Sequence, residues 1–317
     1  MERIGRHVHR CPWNLAIQRS ILCATGPELA DRRIEFARSA AAKARGQQEV
    51  DMKTADCLRL GLRALAGVGL VAALAAAPAS AKDWKTVRIG VDATYPPFES
   101  VNPQGQIVGW EMDYAAELCK RMKVTCTYQN QDWDGIIPAL IAGKFDVIIS
   151  SMNVTPPRKK LVDFSDVYYA TPPVFVGLNS NKSDDVSPAA LKGKTIGTQS
   201  STTFANYLNA YYKDSEIKLY PGGDEPQLDL KAGRIDYTVT DSIVASTFVE
   251  KTGDGCCRVV AKIDRIPEIF GPGVGAAFRK EDGDLREMFN KAIAEVDADG
   301  TYKTLEQKYF KIDIRGK

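Results

Sequence analysis

Four short segments of this 317-residue chain each follow an apolar, strand-like run, and each carries groups able to hold a small polar molecule. Asp92-Ala-Thr-Tyr95-Pro-Pro-Phe98 follows VRIGV, and Ser150-Ser151-Met-Asn153-Val-Thr-Pro-Pro-Arg158 follows DVII. Gln199-Ser-Ser-Thr202 follows KTIGT and opens an amphipathic segment, while Asp241 follows IDYTVT. In open α/β sheets ligands collect outside the carboxyl ends of strands, so these four places are where a site is expected. Together they offer carboxylates, hydroxyls, a guanidinium and a helix N-terminus, with aromatic rings beside them. Such a set suits an α-amino acid.

The elements that must position these groups alternate regularly. Strand-like runs at 87–91, 125–130 and 146–151 are separated by helix-like stretches at 112–122 and 135–143. The same β-α rhythm resumes at 194–200, 202–212, 217–221, 225–233, 235–241 and 243–251. It implies mostly parallel sheets covered by helices on both faces. Between the two sets, TPPVFVGL (171–178) reads as an extended connecting strand, because its Pro pair resists helix. Residues 284–300 and 301–310 read as closing helices, the first ended by Gly300. Two similar α/β lobes joined by extended segments predict a hinged cleft that buries a small ligand between them.

Composition and charge narrow the chemistry further. The chain is 44% hydrophobic and 26% charged, an ordinary globular balance. Its formal charge of +2 is carried by the front: residues 1–81 hold 12 Lys and Arg against 7 Asp and Glu, which leaves 30 against 33 in the remainder. A body with a net charge of −3 has no electrostatic reason to bind nucleic acid. Both histidines, His7 and His9, also lie in the front segment. Ser-His-Asp and Cys-His catalysis and His-ligated metal sites are thereby excluded from the body, and no cofactor is called for.

From Met52 the sequence runs through basic Lys53, Arg59 and Arg63, the uncharged stretch 64–77 and then Ala79-Ser80-Ala81. That is the three-part pattern of a secretory signal peptide spanning 52–81, with cleavage expected after Ala81. The uncharged stretch falls short of the ~20 residues needed to cross a bilayer. Residues 1–51, Arg-rich and without a periodic apolar face, read as an upstream extension preceding the true start at Met52.

Export predicts an oxidising compartment, and four cysteines follow residue 81. Cys119 and Cys126 bracket a short segment running from a helix end into a strand, a loop small enough to close as a disulfide. Cys256 and Cys257 are adjacent, and their Cα atoms at ~3.8 Å would lie below the usual disulfide range, so strain or free thiols are expected. Neither pair has zinc spacing.

VRIGVDATYPPFE, SSMNVTPPRKKLVDFS, LKGKTIGTQSST and AGRIDYTVTD, in this order behind a signal peptide, resemble the polar-amino-acid family of periplasmic solute-binding proteins, the receptors of ABC transporters. The resemblance covers essentially all of 84–313 and is strongest toward lysine/arginine/ornithine- and histidine-binding members. It implies a two-lobe α/β fold of the type II periplasmic-binding-protein kind, with lobe 1 at 82–171 plus 273–317 and lobe 2 at 172–272. It also implies a Cys119–Cys126 disulfide, a periplasmic monomer, an inner-membrane ABC permease as partner and no enzymatic activity.

Carried over residue by residue, the family pattern makes Arg158 the bidentate clamp on the ligand α-carboxylate, with backbone N–H groups near Asn153 and Thr202 completing the anion site. Asp241 accepts the α-ammonium, assisted by Ser151. Tyr95 and Trp133 flank the ligand side chain, and Asp92 with Ser150 receives a distal cation, which favours a cationic L-amino acid. Asn153 departs from the pattern, since the basic-amino-acid receptors usually have Ser there. Receptors for opines or for uncharged polar amino acids are the alternatives within the family; an opine extends an amino acid with a second carboxylate and, as a longer ligand, would need room or an extra cation that the sequence does not locate. The alternative from another class is a cyclohexadienyl dehydratase-like enzyme.

Overall fold

The structure, a computed structural model, describes residues 82–315. The expected signal peptide, the upstream extension and both histidines lie outside the described residues.

The first half runs β1 (Thr86–Val91), β2 (Thr94–Tyr95), β3 (Glu99–Val101), β4 (Ile107–Val108), α1 (Trp110–Met122), β5 (Thr125–Asn130), α2 (Trp133–Ile141), β6 (Val147–Ile148), the one-turn α3 (Pro156–Lys159) and β7 (Asp163–Phe164). The second runs β8 (Pro173–Leu178), β9 (Thr195–Gln199), α4 (Thr203–Tyr211), β10 (Glu216–Tyr220), α5 (Glu225–Lys231), β11 (Tyr237–Asp241), α6 (Ser242–Thr247), a π-helical turn (Phe248–Thr252) and β12 (Cys257–Lys262). The chain then returns through α7 (Pro267–Phe270) to β13 (Ala277–Phe278), α8 (Gly283–Ala298) and α9 (Thr301–Tyr309).

Two five-stranded sheets result, ordered β5-β1-β6-β13-β7 and β10-β9-β11-β8-β12, each the centre of one lobe. A small antiparallel sheet, β2-β3-β4, carries the loop after β1. Alternation builds the first lobe: Val87, Ile89 and Val91 of β1 are fully buried, and α1 buries Trp110, Tyr114, Ala115 and Leu118 on one face. Gly90 sits between these positions because a Cβ there would lie 2.4 Å from the Phe145 ring. Aromatic packing extends the core toward the crossing segments, with Phe98 stacked on Tyr169 at 4.7 Å and Trp110 on Tyr114 at 5.2 Å.

The expectation of mostly parallel sheets needs correction. β1 is parallel to β5 and β6, and β9 to β10 and β11, but β13 is antiparallel to β6 and β7, and β8 to β11 and β12. The stretch read as a connecting strand is instead an interior strand of the second sheet, with Val174, Phe175 and Val176 buried. The physical reason is the route of the chain. The parallel strands point their carboxyl ends at the neighbouring lobe, so a strand arriving from that lobe enters the sheet in the opposite direction.

The crossing segments are themselves paired. Tyr168 N–H donates to Val274 O at 3.0 Å and Val274 N–H to Tyr169 O at 2.9 Å. On the far edge of the first lobe a disulfide joins Cys119 of α1 to Cys126 of β5, with Cα atoms 6.2 Å apart. Cys256 and Cys257 are also bonded to each other, with Cα atoms 3.7 Å apart, rather than standing as free thiols.

Candidate functional site

One cavity between the lobes is lined by all nine residues singled out from the sequence: Asp92, Tyr95, Trp133, Ser150, Ser151, Asn153, Arg158, Thr202 and Asp241. Strand ends account for most of them. Asp92 directly follows β1, Ser150 and Ser151 follow β6, Thr202 caps α4 just beyond β9, and Asp241 closes β11.

At one end lies Arg158, half-buried on the short α3 that Pro156 opens. Its guanidinium donates to Asn153 O at 3.0 Å and to Ser201 O of the opposite lobe at 3.3 Å, and lies 5.2 Å from the Trp133 ring centre. Burial lowers its pKa to about 10, so it remains a cation at neutral pH. Facing it, the N-terminus of α4 is capped by Thr202, whose hydroxyl accepts from Ala205 N at 3.1 Å and donates to Gln199 O at 2.8 Å. A cation and a helix N-terminus at one place are the kind of groups that suit an anion.

Asp241 stands on the second lobe and is 7% exposed. Its carboxylate accepts from Ile243 N at 2.8 Å and from the Thr171 hydroxyl, so it caps α6 while still lining the cavity. Burial raises its pKa to about 6, against the opposing pull of Thr171, the Ile243 N–H and the Arg265 charge. Tyr95 reaches across from the first lobe, and its hydroxyl accepts from Asp241 N–H at 3.3 Å.

The other wall is acidic. Asp92 accepts from Thr94 Oγ1 at 2.9 Å and from Gln199 Nε2 at 2.7 Å, the latter across the cleft, and burial raises its pKa. Ser150 Oγ accepts from Asp92 N–H at 2.9 Å and donates to Glu99 Oε1 at 3.2 Å. Ser151, in a left-handed conformation (φ 49°), presents its hydroxyl to Glu99 at 3.3 Å and to Glu111 at 3.0 Å. Glu111 is fully buried behind the wall, taking the Tyr168 hydroxyl and the Ser151 N–H. Burial first, then the Glu111 charge, holds the Glu99 carboxyl well above the usual range.

Sequence reasoning missed Glu99, Arg265, Thr171 and Tyr169, which also line the cavity. Glu99 had a usable signal, since it ends the YPPFE run four residues beyond Tyr95. Arg265 had none: it lies in an irregular stretch between β12 and α7. Among the described residues there is no cluster of His, Cys, Asp and Glu fit to hold a metal ion. The lobes are closed on each other, for besides Asp92–Gln199 the cleft is spanned by Trp133 Nε1 to Ser201 O (3.2 Å), Gly223 N to Thr94 Oγ1 (2.9 Å) and Ser200 Oγ to Asp134 (2.8 Å).

Comparison with known proteins gives a consistent picture. The family model of bacterial extracellular solute-binding proteins, family 3, matches residues 87–312. The chain is 40% identical over 257 residues to the histidine-binding periplasmic protein of Salmonella typhimurium, covering 80% of this chain and 95% of that protein. It is 41% identical over 241 residues to the L-arginine-binding protein of Pseudomonas aeruginosa, covering 73% and 90%. Among solved structures, an ancestral arginine-binding protein bound to arginine superposes with a TM-score of 0.66 at 36% identity, covering 71% of this chain and 98% of that one.

Proposed function

The chain belongs to family 3 of the bacterial extracellular solute-binding proteins, and from that premise we propose that it is the periplasmic receptor of an ABC-type amino acid importer, capturing a cationic L-amino acid by lobe closure. The observation that carries this reading is that Arg158 of one lobe and Asp241 of the other line one closed cavity. An α-amino acid carries one charge for each.

Arg158 and the α4 N-terminus would hold the α-carboxylate, and Asp241 the α-ammonium, with Ser151 and Asn153 adding polar contacts. Tyr95 and Trp133 would line the path of the side chain toward Asp92 and Ser150, the carboxylate of Asp92 being suited to a distal ammonium or guanidinium. The Asp92–Gln199 bond then marks the place where that cation would enter. A ligand touching both lobes stabilises the closed state alone, which shifts the population toward the form an inner-membrane permease can read.

In this reading residues 82–171 with 273–317 and residues 172–272 move as the two lobes, the receptor acts as a monomer without cofactor or catalysis, and the segment 52–81 directs export. The relatives named above are binding proteins by description, which supports capture over turnover. Isothermal titration with the twenty amino acids tests it. At least one cationic amino acid is expected to bind with a Kd at or below ~1 μM, about −8 kcal/mol. Absence of binding by all twenty would overturn it.

A further inference from the structure

Two serine hydroxyls of the cavity sit against a pair of buried carboxyl groups. Ser150 and Ser151 follow β6 and line the cavity with Asp92. Glu99 of β3 and Glu111 of α1, in contact with them, are 1% and 0% exposed. Ser150 Oγ accepts from Asp92 N–H at 2.9 Å and gives its single hydrogen to Glu99 Oε1 at 3.2 Å. Ser151 Oγ lies between both carboxyls, 3.0 Å from Glu111 Oε2 and 3.3 Å from Glu99 Oε2. A hydroxyl has one hydrogen and can satisfy only one of these two contacts. Were both carboxyls ionised, the other contact would set lone pair against lone pair in a buried place, where an unpaired charge is costly.

The surroundings supply no cation to relieve it. The donors given to the two carboxyls are neutral: the Ser150, Ser151 and Tyr168 hydroxyls and the Ser151 N–H. The titratable groups that face Glu99 are Asp92, Glu111, Tyr95, Tyr168 and Tyr169, none of them a cation. A proton on Glu99 Oε2 resolves the contact, because Glu99 then donates to Ser151 Oγ while Ser151 donates to Glu111. Burial and the Glu111 charge, which hold the Glu99 carboxyl above its ordinary range, favour that proton. Both serine hydrogens are thereby committed to carboxyl groups. Each serine oxygen has two lone pairs, one taken by the Asp92 N–H or by Glu99, and the second is left for a donor on the ligand.

We propose that Glu99 is a positioning residue acting as a neutral carboxylic acid, which fixes Ser150 and Ser151 as hydrogen-bond acceptors so that the cavity selects ligand groups that only donate. An ammonium or a guanidinium meets that condition. A side chain ending in a carbonyl does not, because its oxygen would face the remaining lone pair of Ser150. The proposal deepens the cationic amino acid reading and rests on it, with Ser150 beside Asp92 at the side-chain end and Ser151 near the ligand ammonium.

The test compares L-arginine with L-citrulline, its neutral analogue bearing a carbonyl in place of one guanidinium nitrogen, by titration of the purified secreted protein and two variants. Glu99→Leu frees the Ser150 hydrogen to turn into the cavity and is expected to narrow the arginine-to-citrulline affinity ratio by at least about fivefold, the effect of about one neutral hydrogen bond. Glu99→Gln, the conservative variant, again offers an acceptor to Ser150 and a donor to Ser151, and is expected to restore the ratio to within about threefold of wild type. The infrared difference between ligand-free wild type and the Gln variant is expected to show the loss of a protonated carboxyl band. Thermal unfolding shows whether each variant is folded, and if the Leu variant is not, the Gln variant and the infrared spectrum decide. A folded Leu variant with an unchanged ratio, a Gln variant that fails to restore it, or the loss of an ionised carboxylate band in place of the protonated one would overturn the role of Glu99. Wild-type protein that binds neither ligand would instead remove the cationic reading beneath the proposal and with it the selective role, while the infrared band reports on Glu99 separately.

Discussion

Gln199 donates from its side-chain nitrogen to Asp92 at 2.7 Å, joining the strand end of one lobe to the strand end of the other. The bond places a neutral amide on a buried carboxylate at the spot assigned to the cationic head of the ligand. Truncation of Asp92 should therefore separate ligands by charge. Hydrogen bonds to charged groups contribute about 1.5–3 kcal/mol, so Asp92→Ala is expected to weaken lysine or arginine by about 10–100-fold. Neutral polar amino acids should change by less than about threefold. Titration of the variant with one ligand of each kind decides it, and equal loss for both would take Asp92 out of side-chain recognition.

Arg158 should behave differently, since every α-amino acid has an α-carboxylate. Removing one partner of a buried charge pair costs about 2–5 kcal/mol, so Arg158→Ala is expected to lose at least about 30-fold affinity for all ligands alike. A variant that loses only some of them would show that the carboxylate is held elsewhere.

Binding should depend on pH through Asp241, whose pKa burial raises to about 6. The ammonium requires the ionised carboxylate, so below about pH 6 the Kd for a neutral-side-chain ligand should rise by about tenfold per unit, while above about pH 7 it should be flat. The sign for folding is the reverse. With its folded pKa above the ordinary 3.8, Asp241 binds its proton more tightly in the native protein than in the unfolded chain, so its contribution to ligand-free stability falls as pH rises from about 4 to about 6. Asp241→Asn should abolish the pH dependence along with most of the affinity. A Kd that stays constant from pH 7 to pH 5 would show that Asp241 does not pair with the ammonium.

Gly271 stands in the return crossing with φ 63°, and a Cβ there would lie 1.9 Å from Val154 O. Both backbone strain and overlap oppose any side chain, so Gly271→Ala is expected to cost about 1–3 kcal/mol or more. At about 2–4 °C per kcal/mol for a domain of this size, differential scanning calorimetry should show a drop in Tm of several degrees. An unchanged Tm would mean that the crossing relaxes freely.

The Cys119–Cys126 bond closes a short loop on the outer edge of the first sheet, away from the cavity. Replacing both with Ser should lower stability by ~2–3 kcal/mol in denaturant titration and leave the Kd for the ligand unchanged within about twofold. A change in Kd would show that this edge communicates with the cleft.

Much of the site was legible because its residues sit at strand ends, and strand ends can be read from alternation and turn chemistry. Asp92, Ser150, Thr202 and Asp241 each follow an apolar run, and the carboxyl-end rule places such residues together without coordinates. Glu99 was hidden because it lies on the three-residue strand β3, too short for its inward face to be read from a pattern. Arg265 was hidden for a different reason. It belongs to no periodic element, and its place in the cavity depends on four acceptors drawn from residues 153, 171, 270 and 271.

The amino-acid sequence alone determined the alternating elements, the two-lobe architecture and the residues at the strand ends, because period and turn composition are local properties of the chain. Tertiary structure decided the direction of β8 and β13, the acidic wall formed by Glu99 and Glu111 behind Ser151, and the pairing of Arg158 and Arg265 on Asn153. Each of these depends on which distant segments meet when the lobes close. Charge balance in a buried cavity is a sum over all groups that converge there, and it exists only once the chain has brought them together.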